Sequence, residues 1–265
     1  MNDRKILFFD IDGTIYREGS GIYESAASAI YECANAGHLM MLCTGRGMST
    51  IPDEVRALPF TGGVFGCGTH VQIDHRVLLD AAVMGSCCQD VLDILYRNDC
   101  PYFVNNSDYI YYDPDFLPTN RRAMAKRMYY AYHGRLRPME ENPGRISKLT
   151  AYPQDTRLIP QIQRDLSPWF DTIVHAEYDY IELVLKGCTK GTGVDLILQD
   201  LGIARENSYG FGDSANDLPL LDAVGHAVIM GDAPESIKGS FQRAASIHDD
   251  GLARSLKALG LIGAI

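Results

Sequence analysis

The stretch KILFFDIDGTIY, Lys5 to Tyr16, runs an unbroken apolar segment into two carboxylates one residue apart, Asp10 and Asp12, followed by Gly13 and Thr14. A short apolar run without polar alternation reads as a strand buried on both faces, as in a parallel sheet covered by helices. Ligands of open α/β sheets bind outside the carboxyl ends of the strands, and Asp10 stands at such an end. Two like charges this close repel, so their placement calls for a turn, a metal or a reaction.

Outward from this strand the chain alternates strand and helix signals. A helix is expected from Tyr23, with Ala27, Ile30, Tyr31 and Ala34 on one face and Gly37 as its stop. HLMMLCT (38–44) and GGVFGCG (62–68) read as further buried strands, with a helix near 49–58 between them. The last third repeats the rhythm, with a helix from about Gly191 to Leu201 ended by Gly202 and a strand at 207–212. A helix near 215–223, a strand at 226–230 and a closing helix at about 249–259 follow. The two ends of the chain together predict one doubly wound α/β domain with a mostly parallel, Rossmann-like sheet.

Between them the texture changes. QIDHRVLLD predicts a hairpin, and YFVNNSDYIYYD (102–113) two aromatic strands around an Asn-Asn-Ser-Asp turn. A Met- and Tyr-rich helical stretch (121–133), ISKLTAYP, a helix near 155–166 and paired strands FDTIVHA and DYIELVL complete an α+β unit. The expected organisation is a core of 1–81 and 187–265 with an inserted unit of 82–186.

With 46% hydrophobic and 22% charged residues the composition is that of a folded globular chain, and the net charge of -10 argues against a broad nucleic-acid surface. Any anionic substrate therefore needs a local cation. The N-terminal apolar stretch is too short for a signal peptide and no run approaches a membrane span, so a cytoplasmic protein without membrane partners is expected. Seven cysteines without zinc-like spacing read as free thiols, the adjacent Cys87 and Cys88 being a poor redox pair.

Four short motifs carry chemistry. Asp10-Ile-Asp12-Gly-Thr14, Thr44-Gly45-Arg46, Lys190-Gly191 and Gly212-Asp213-Ser-Ala-Asn216-Asp217 all fall at strand ends or a helix start. Each has a plain reading by itself: a glycine turn, a loop, a solvated lysine, and a capping box with Ser214 as cap. Together, acids from separate segments with one Lys, one Thr and one Asn suit a divalent cation and a phosphate.

These motifs, in this order, resemble the haloacid dehalogenase (HAD) superfamily of phosphotransferases. The insertion between the second and third motifs, with Lys186-Gly-Cys-Thr-Lys190-Gly, resembles its Cof-type (IIB) phosphatases with a C2B-type cap. One departure stands out: Cys67-Gly68-Thr69 occupies the place where many such members have Asn-Gly-Ala.

The resemblance implies a Mg²⁺-dependent phosphatase of small phosphorylated metabolites, sugar phosphates foremost, working as a monomer or homodimer. Asp10 would be the nucleophile and Asp12, pointing to the same side two residues on along an extended segment, the acid and base. Asp10, Asp213 and the Asp12 carbonyl would hold Mg²⁺, with Asp217 either a ligand through water or an anchor behind the ligands. Thr44, Gly45 and Lys190 would hold phosphate oxygens and Asn216 orient the phosphate or Lys190, while Arg46 would reach the phosphate or pair on the surface. A phosphomutase of the same superfamily and a non-catalytic phosphometabolite-binding protein are the alternatives.

Overall fold

The computed structural model describes residues 4–116, 130, 134–175 and 179–263. Strand β1 (Ile6–Phe9) has all four side chains fully buried, the signature of a strand covered on both faces. It sits inside an eight-stranded sheet of order β18 (Gln242–Arg243), β17 (His226–Ile229), β16 (Ser208–Gly212), β1, β4 (Leu39–Cys43), β5 (Gly62–Phe65), β6 (His70–Ile73) and β7 (Arg76–Asp80). From β18 through β5 the pairing is parallel, and β6 turns back antiparallel on β5. A two-stranded hairpin, β2 (Tyr16–Arg17) with β3 (Gly21–Ile22), follows the Asp-rich turn.

Period-two alternation sorts the two faces. Ile6, Phe8, Met41, Cys43 and Val64 pack with Val194, Ile197, Leu198 and Leu220, carried by helices α5 (Lys190–Leu201) and α6 (Leu218–Ala223). Helix α1 (Glu24–Asn35) packs on β4 and on α8 (Gly251–Ala258). Phe9 stacks on Phe211 across the β1–β16 pair at 4.9 Å between ring centroids. Short helices α2 (Asp53–Arg56) and α7 (Glu235–Lys238) complete this layer arrangement.

Two local expectations are corrected. Helix α1 buries Ala26, Ala29, Ile30 and Cys33, a stripe turned from the expected Ala27, Ile30, Tyr31 and Ala34. Both stripes have helical spacing, but Tyr31 carries a hydroxyl that needs a partner and stays at the margin, where it donates to the Ala57 carbonyl at 3.0 Å. The helix near 49–58 is instead a 3-10 turn (Met48–Thr50) and the single turn of α2, because Pro52 disfavours helical geometry at Ile51 before it. Elsewhere Gly202 ends α5 in the left-handed conformation at φ 62°.

The chain divides into two compact units, Met1–Gly45 with Ile51–Leu79 and Thr189–Ile265, and Arg46–Thr50 with Asp80–Cys188. The second contains a six-stranded sheet of order β11 (Leu136–Pro138), β10 (Ile110–Tyr112), β9 (Tyr102–Asn105), β13 (Lys148–Ala151), β15 (Tyr180–Leu185) and β14 (Phe170–His175). Helices α3 (Ser86–Arg97) and α4 (Ile159–Leu166) join one sheet face in a core of Val91, Leu95, Tyr102, Val104, Leu149, Ile162, Leu166, Ile181 and Leu183. Strands β8 (Val83–Met84) and β12 (Arg145–Ile146) pair separately. Asn106, read as a turn residue, is buried: its Oδ1 accepts from Ser147 N and its Nδ2 donates to the Arg145 carbonyl, both at 3.1 Å. The expected helical stretch at 121–133 lies outside the described residues apart from Tyr130.

One buried ion pair lies on the sheet face opposite α3 and α4, Lys148 Nζ to Glu182 Oε1 at 2.8 Å. Burial alone would raise the Glu182 carboxyl, but the Lys148 ammonium, with His175, outweighs it and holds the pKa down to about 2 against an ordinary 4.5. A depressed carboxylate contributes stability that is complete above pH 4.5 and is lost as pH falls through 4.5 towards 2. Glu182→Gln is therefore expected to lower unfolding free energy at pH 7 by on the order of 3 kcal/mol, with the gap to wild type closing below pH 4.5. Urea titrations at pH 7 and pH 3 measure it.

Candidate active site

The residues of the motifs follow the carboxyl ends of adjacent strands. Asp10 extends β1 by one residue, its amide donating to the Phe211 carbonyl at 2.9 Å, and Thr44 extends β4, its amide donating to the Val64 carbonyl at 2.8 Å. Asp213 follows β16, the neighbour of β1 on its other side. Lys190 is the first residue of α5, whose N-terminus is fixed by a reciprocal capping box between Thr189 and Thr192. Gly191 is required beside it, since a Cβ there would lie 2.4 Å from the Pro219 carbonyl oxygen.

Lys190 is 1% exposed, which overturns the reading of it as a solvated surface lysine. Its Nζ donates to Asp10 Oδ1 at 2.8 Å and to Asp217 Oδ1 at 2.5 Å. Asp217 is fully buried and its other oxygen, Oδ2, accepts from the amides of Asp213 and Ser214 and from the Ser214 hydroxyl at 3.0, 2.9 and 3.1 Å. Both Asp217 oxygens thus serve protein donors. Asp213 differs: its Oδ1 is buried without a hydrogen-bond partner among the described residues.

The segment after Asp10 is a turn rather than the extended continuation read from the sequence. The Ile11 carbonyl accepts from the amides of Ile15 and Tyr16 at 3.0 and 2.9 Å, and Gly13 adopts φ +79°. A Cβ on Gly13 would stand 2.1 Å from Asp213 Oδ2, so the turn lies directly against the Asp213 carboxylate and only glycine fits. Asp12 is exposed and lies outside the group formed by Asp10, Asp213 and Asp217, although its charge acts on Asp213.

Asn216 sits in a 3-10 turn (Ala215–Asp217) with its Oδ1 accepting from Ser214 Oγ at 2.9 Å. Thr44 is buried and Gly45 half-buried. Arg46 belongs to the second unit, where its Nη1 donates to the Thr50 carbonyl at 2.9 Å. The sequence reading missed the Cys43 contact, and it marked Cys67 only as a departure from the family pattern, without the geometry of its loop. The Cys43 thiol faces the Lys190 carbonyl at 3.8 Å, and its place directly before Thr44 was the available sign. Cys67 is buried in the left-handed region at φ 57° between Gly66 and Gly68, which are also left-handed. Its amide donates to the Thr44 carbonyl at 3.1 Å, and a Cβ on Gly68 would meet the Thr189 carbonyl at 2.2 Å. That tight loop braces both Thr44 and the start of α5.

Burial, followed by the Asp217 charge, pushes the Asp10 carboxyl up, and Lys190 opposes them. Burial opposes the charge on Lys190, but Asp10 and Asp217 outweigh it and keep the ammonium protonated. The Asp213 carboxyl is pushed up to about 7, first by burial and then by Asp217. Three ligand oxygens from Asp10, Asp213 and Asp217 lie within 4.8 Å of one another. Fully ionised, these carboxylates and one ammonium leave two negative charges in a buried site, which one divalent cation cancels. The all-oxygen donor set and the unpartnered Asp213 Oδ1 fit a hard cation.

Comparison with known proteins agrees with this architecture. The family model for haloacid dehalogenase-like hydrolases matches residues 7–256, and the chain belongs to that family. An HMP-PP phosphatase of Serratia proteamaculans is 24% identical, over 88% of this chain and 86% of its own. A Streptococcus pyogenes protein, provisionally named a bifunctional phosphatase/peptidyl-prolyl cis-trans isomerase, is 26% identical over 97% of this chain, which spans only 54% of that relative. The structure of the HAD subclass IIB sugar phosphatase BT4131 superposes with a TM-score of 0.80 at 23% identity, over 97% of this chain and 100% of its own. The fold is that of the HAD phosphatases, and the chain is an enzyme of their phosphatase class. Among the described residues no helix is long and apolar enough to cross a membrane.

Because protons compete with a cation for a carboxyl that titrates near 7, cation binding is expected to strengthen as pH rises through that value. A millimolar divalent cation should raise Tm at pH 8 and raise it markedly less at pH 5.5, as read by differential scanning fluorimetry.

Proposed function

We propose that this protein is a Mg²⁺-dependent phosphomonoester hydrolase of small phosphorylated metabolites, sugar phosphates in particular, that works through an aspartyl-phosphate on Asp10. The observation that carries the reading is the buried Lys190 ammonium held between Asp10 and Asp217 at the carboxyl edge of the sheet, beside the unpartnered Asp213 Oδ1. A cation placed there by protein design offsets both the carboxylate of a nucleophile and the charge of an incoming phosphate. The match to the HAD-like hydrolase model and the phosphatase names of its relatives support the same chemistry.

In this mechanism an Asp10 carboxylate oxygen attacks phosphorus and the bond from phosphorus to the ester oxygen breaks. Asp12 gives its carboxyl proton to the departing alkoxide. It then takes a proton from the water that attacks phosphorus, and the Asp10–phosphorus bond breaks to release inorganic phosphate. Lys190 and the Thr44 hydroxyl hold non-bridging oxygens, the Gly45 backbone shapes that loop, and Asn216 orients the Ser214 segment. Asp10, Asp213 and the Asp12 carbonyl would hold Mg²⁺, which supplies charge neutralisation for the phosphoryl group when bound. Asp217 acts behind them, fixing Lys190 and the amides of Asp213 and Ser214. Arg46 is assigned to surface pairing within the second unit, and that unit to the choice of substrate.

Phosphate release from a panel of sugar phosphates and p-nitrophenyl phosphate tests the proposal. Asp10→Asn is expected to lower kcat by about three orders of magnitude or more with the fold retained, as read by circular dichroism. Asp12→Asn should lower it by about 10²–10⁴-fold on sugar phosphates, whose alkoxides are poor leaving groups, and by less on p-nitrophenyl phosphate. EDTA should stop turnover and Mg²⁺ restore it. Isomerised sugar phosphate without free phosphate would point to a mutase, and binding without turnover to a sensor.

A further inference from the structure

The hairpin of β2 and β3 grows directly out of the Asp12 turn. The Gly13 amide donates to the Tyr16 carbonyl and the Tyr16 amide to the Ile11 carbonyl, both at 2.9 Å, and Asp12 forms a bridge with Tyr16. The turn is thus bonded to the first residue of β2, and a displacement of the hairpin is passed on to Asp12. Two strands of two residues each are too short to hold a hairpin by themselves. On the β3 side the Glu54 carboxylate, carried by α2, accepts from the Ile22 amide at 3.3 Å.

A single imidazole reaches both strands. His248 Nε2 faces Arg17 Nη1 on β2 at 2.7 Å, and His248 Nδ1 faces the hydroxyl of Tyr23, the residue after β3, also at 2.7 Å. The Tyr23 ring meets the imidazole edge to face, with centroids 5.6 Å apart. His248 lies in a 3-10 turn (Ile247–Asp249), 225 positions from Tyr23 in the sequence. That turn is itself fixed. Asp232, beyond the end of β17, accepts from the Ser246 hydroxyl at 2.9 Å and the Ile247 amide at 2.6 Å, and Ser246 Oγ accepts from the His248 amide at 3.1 Å.

These contacts define the state of the ring. A guanidinium only donates, so Nε2 accepts, and the neutral ring carries its proton on Nδ1 and donates it to the Tyr23 oxygen. A second proton would put an N–H and a positive charge in front of Arg17, and the contact would open. His248 and Arg17 are exposed, so solvent protons reach the ring. The charged groups of the surrounding elements are Glu18 beside Arg17, Glu24 beside Tyr23, Asp232 behind the turn, and Asp249 and Asp250 after His248. Histidine is the side chain that changes charge across the neutral range.

We propose that His248 is a positioning residue for the phosphatase reaction. As a neutral imidazole it ties Arg17 to Tyr23, holds the hairpin closed and so sets the turn that carries Asp12; on protonation it lets go of Arg17. The inference rests on the proposed role of Asp12 as acid and base.

Hydrogen exchange over residues 11–23, read by mass spectrometry, is combined with kcat for hexose phosphates and for p-nitrophenyl phosphate. His248→Leu removes both contacts, whereas His248→Gln keeps an acceptor and a donor and takes up no proton. At pH 8 the Leu variant is expected to exchange these amides about tenfold or more faster than wild type, with the Gln variant within about threefold of wild type. Hexose phosphate turnover, which needs Asp12 to protonate an alkoxide, should fall about tenfold in the Leu variant, p-nitrophenyl phosphate turnover by less, and Gln should restore most of the loss. From pH 8 to pH 5.5, protection relative to intrinsic exchange should fall in wild type and hold in the Gln variant. Arg17→Met approaches from the other partner, and its effect and that of His248→Leu should not add in the double variant. Unchanged protection in the Leu variant, one pH dependence shared by wild type and the Gln variant, or additive effects would each overturn the latch. An unchanged substrate ratio in a variant whose hairpin has loosened would overturn its positioning role. Faster exchange in the Leu variant across the Asp12 turn supports the inference even if no phosphate is released, an outcome that would defeat only the hydrolase reading.

Discussion

The candidate site depends on one buried cation. Lys190 is enclosed almost completely and holds Asp10 on one side and Asp217 on the other. Removing an ammonium from water is costly, and leaving one of its carboxylates buried without it would be costlier still. The arrangement therefore holds only if β1, β16 and the start of α5 are all in register. Phe9 stacked on Phe211, the Asp10 amide bonded to Phe211, and Gly191 against Pro219 are the contacts that keep that register.

Asp217 shows how one side chain links local and tertiary structure. Its Oδ2 closes a capping box with Ser214 and holds the Asp213 amide, while its Oδ1 reaches Lys190 from a different helix. The Asp213 carboxylate is thereby fixed by its backbone while its own Oδ1 has no protein partner among the described residues. Glycines make the approach possible: Gly13 and Gly212 each lie where a Cβ would collide with a site carboxylate. Their conservation of space rather than of charge explains why motif carboxylates are interleaved with glycine.

The two units use ionisable groups in different ways. In the first, three carboxylates outnumber one ammonium, and burial pushes Asp213 up to about 7, a state of charge that a cation would relieve. In the second, Lys148 and Glu182 balance each other and Glu182 is held down to about 2. An excess of negative charge suits a metal cation, whereas a balanced pair makes no such demand. The division follows from the counts of charge in each cluster.

The buried strands at β1, β4, β5 and β16 were legible in the sequence because each is a continuous apolar run between turn residues, and α5 because Gly202 marks its end. The motif residues could be named for the same local reason, as they lie at strand ends and a helix start. What pattern could not decide was rotation, path and partnership. Two stripes of α1 have equal spacing, and only packing on β4 and α8 chose Cys33 over Tyr31. The path after Asp10 is a turn because Gly13 must clear Asp213, a residue 200 positions away in the sequence. Lys190 looks solvated in sequence and is buried in the fold, since its partners arrive from two other strand ends. Local chemistry thus determined which residues could act, while long-range packing decided which of them share a site.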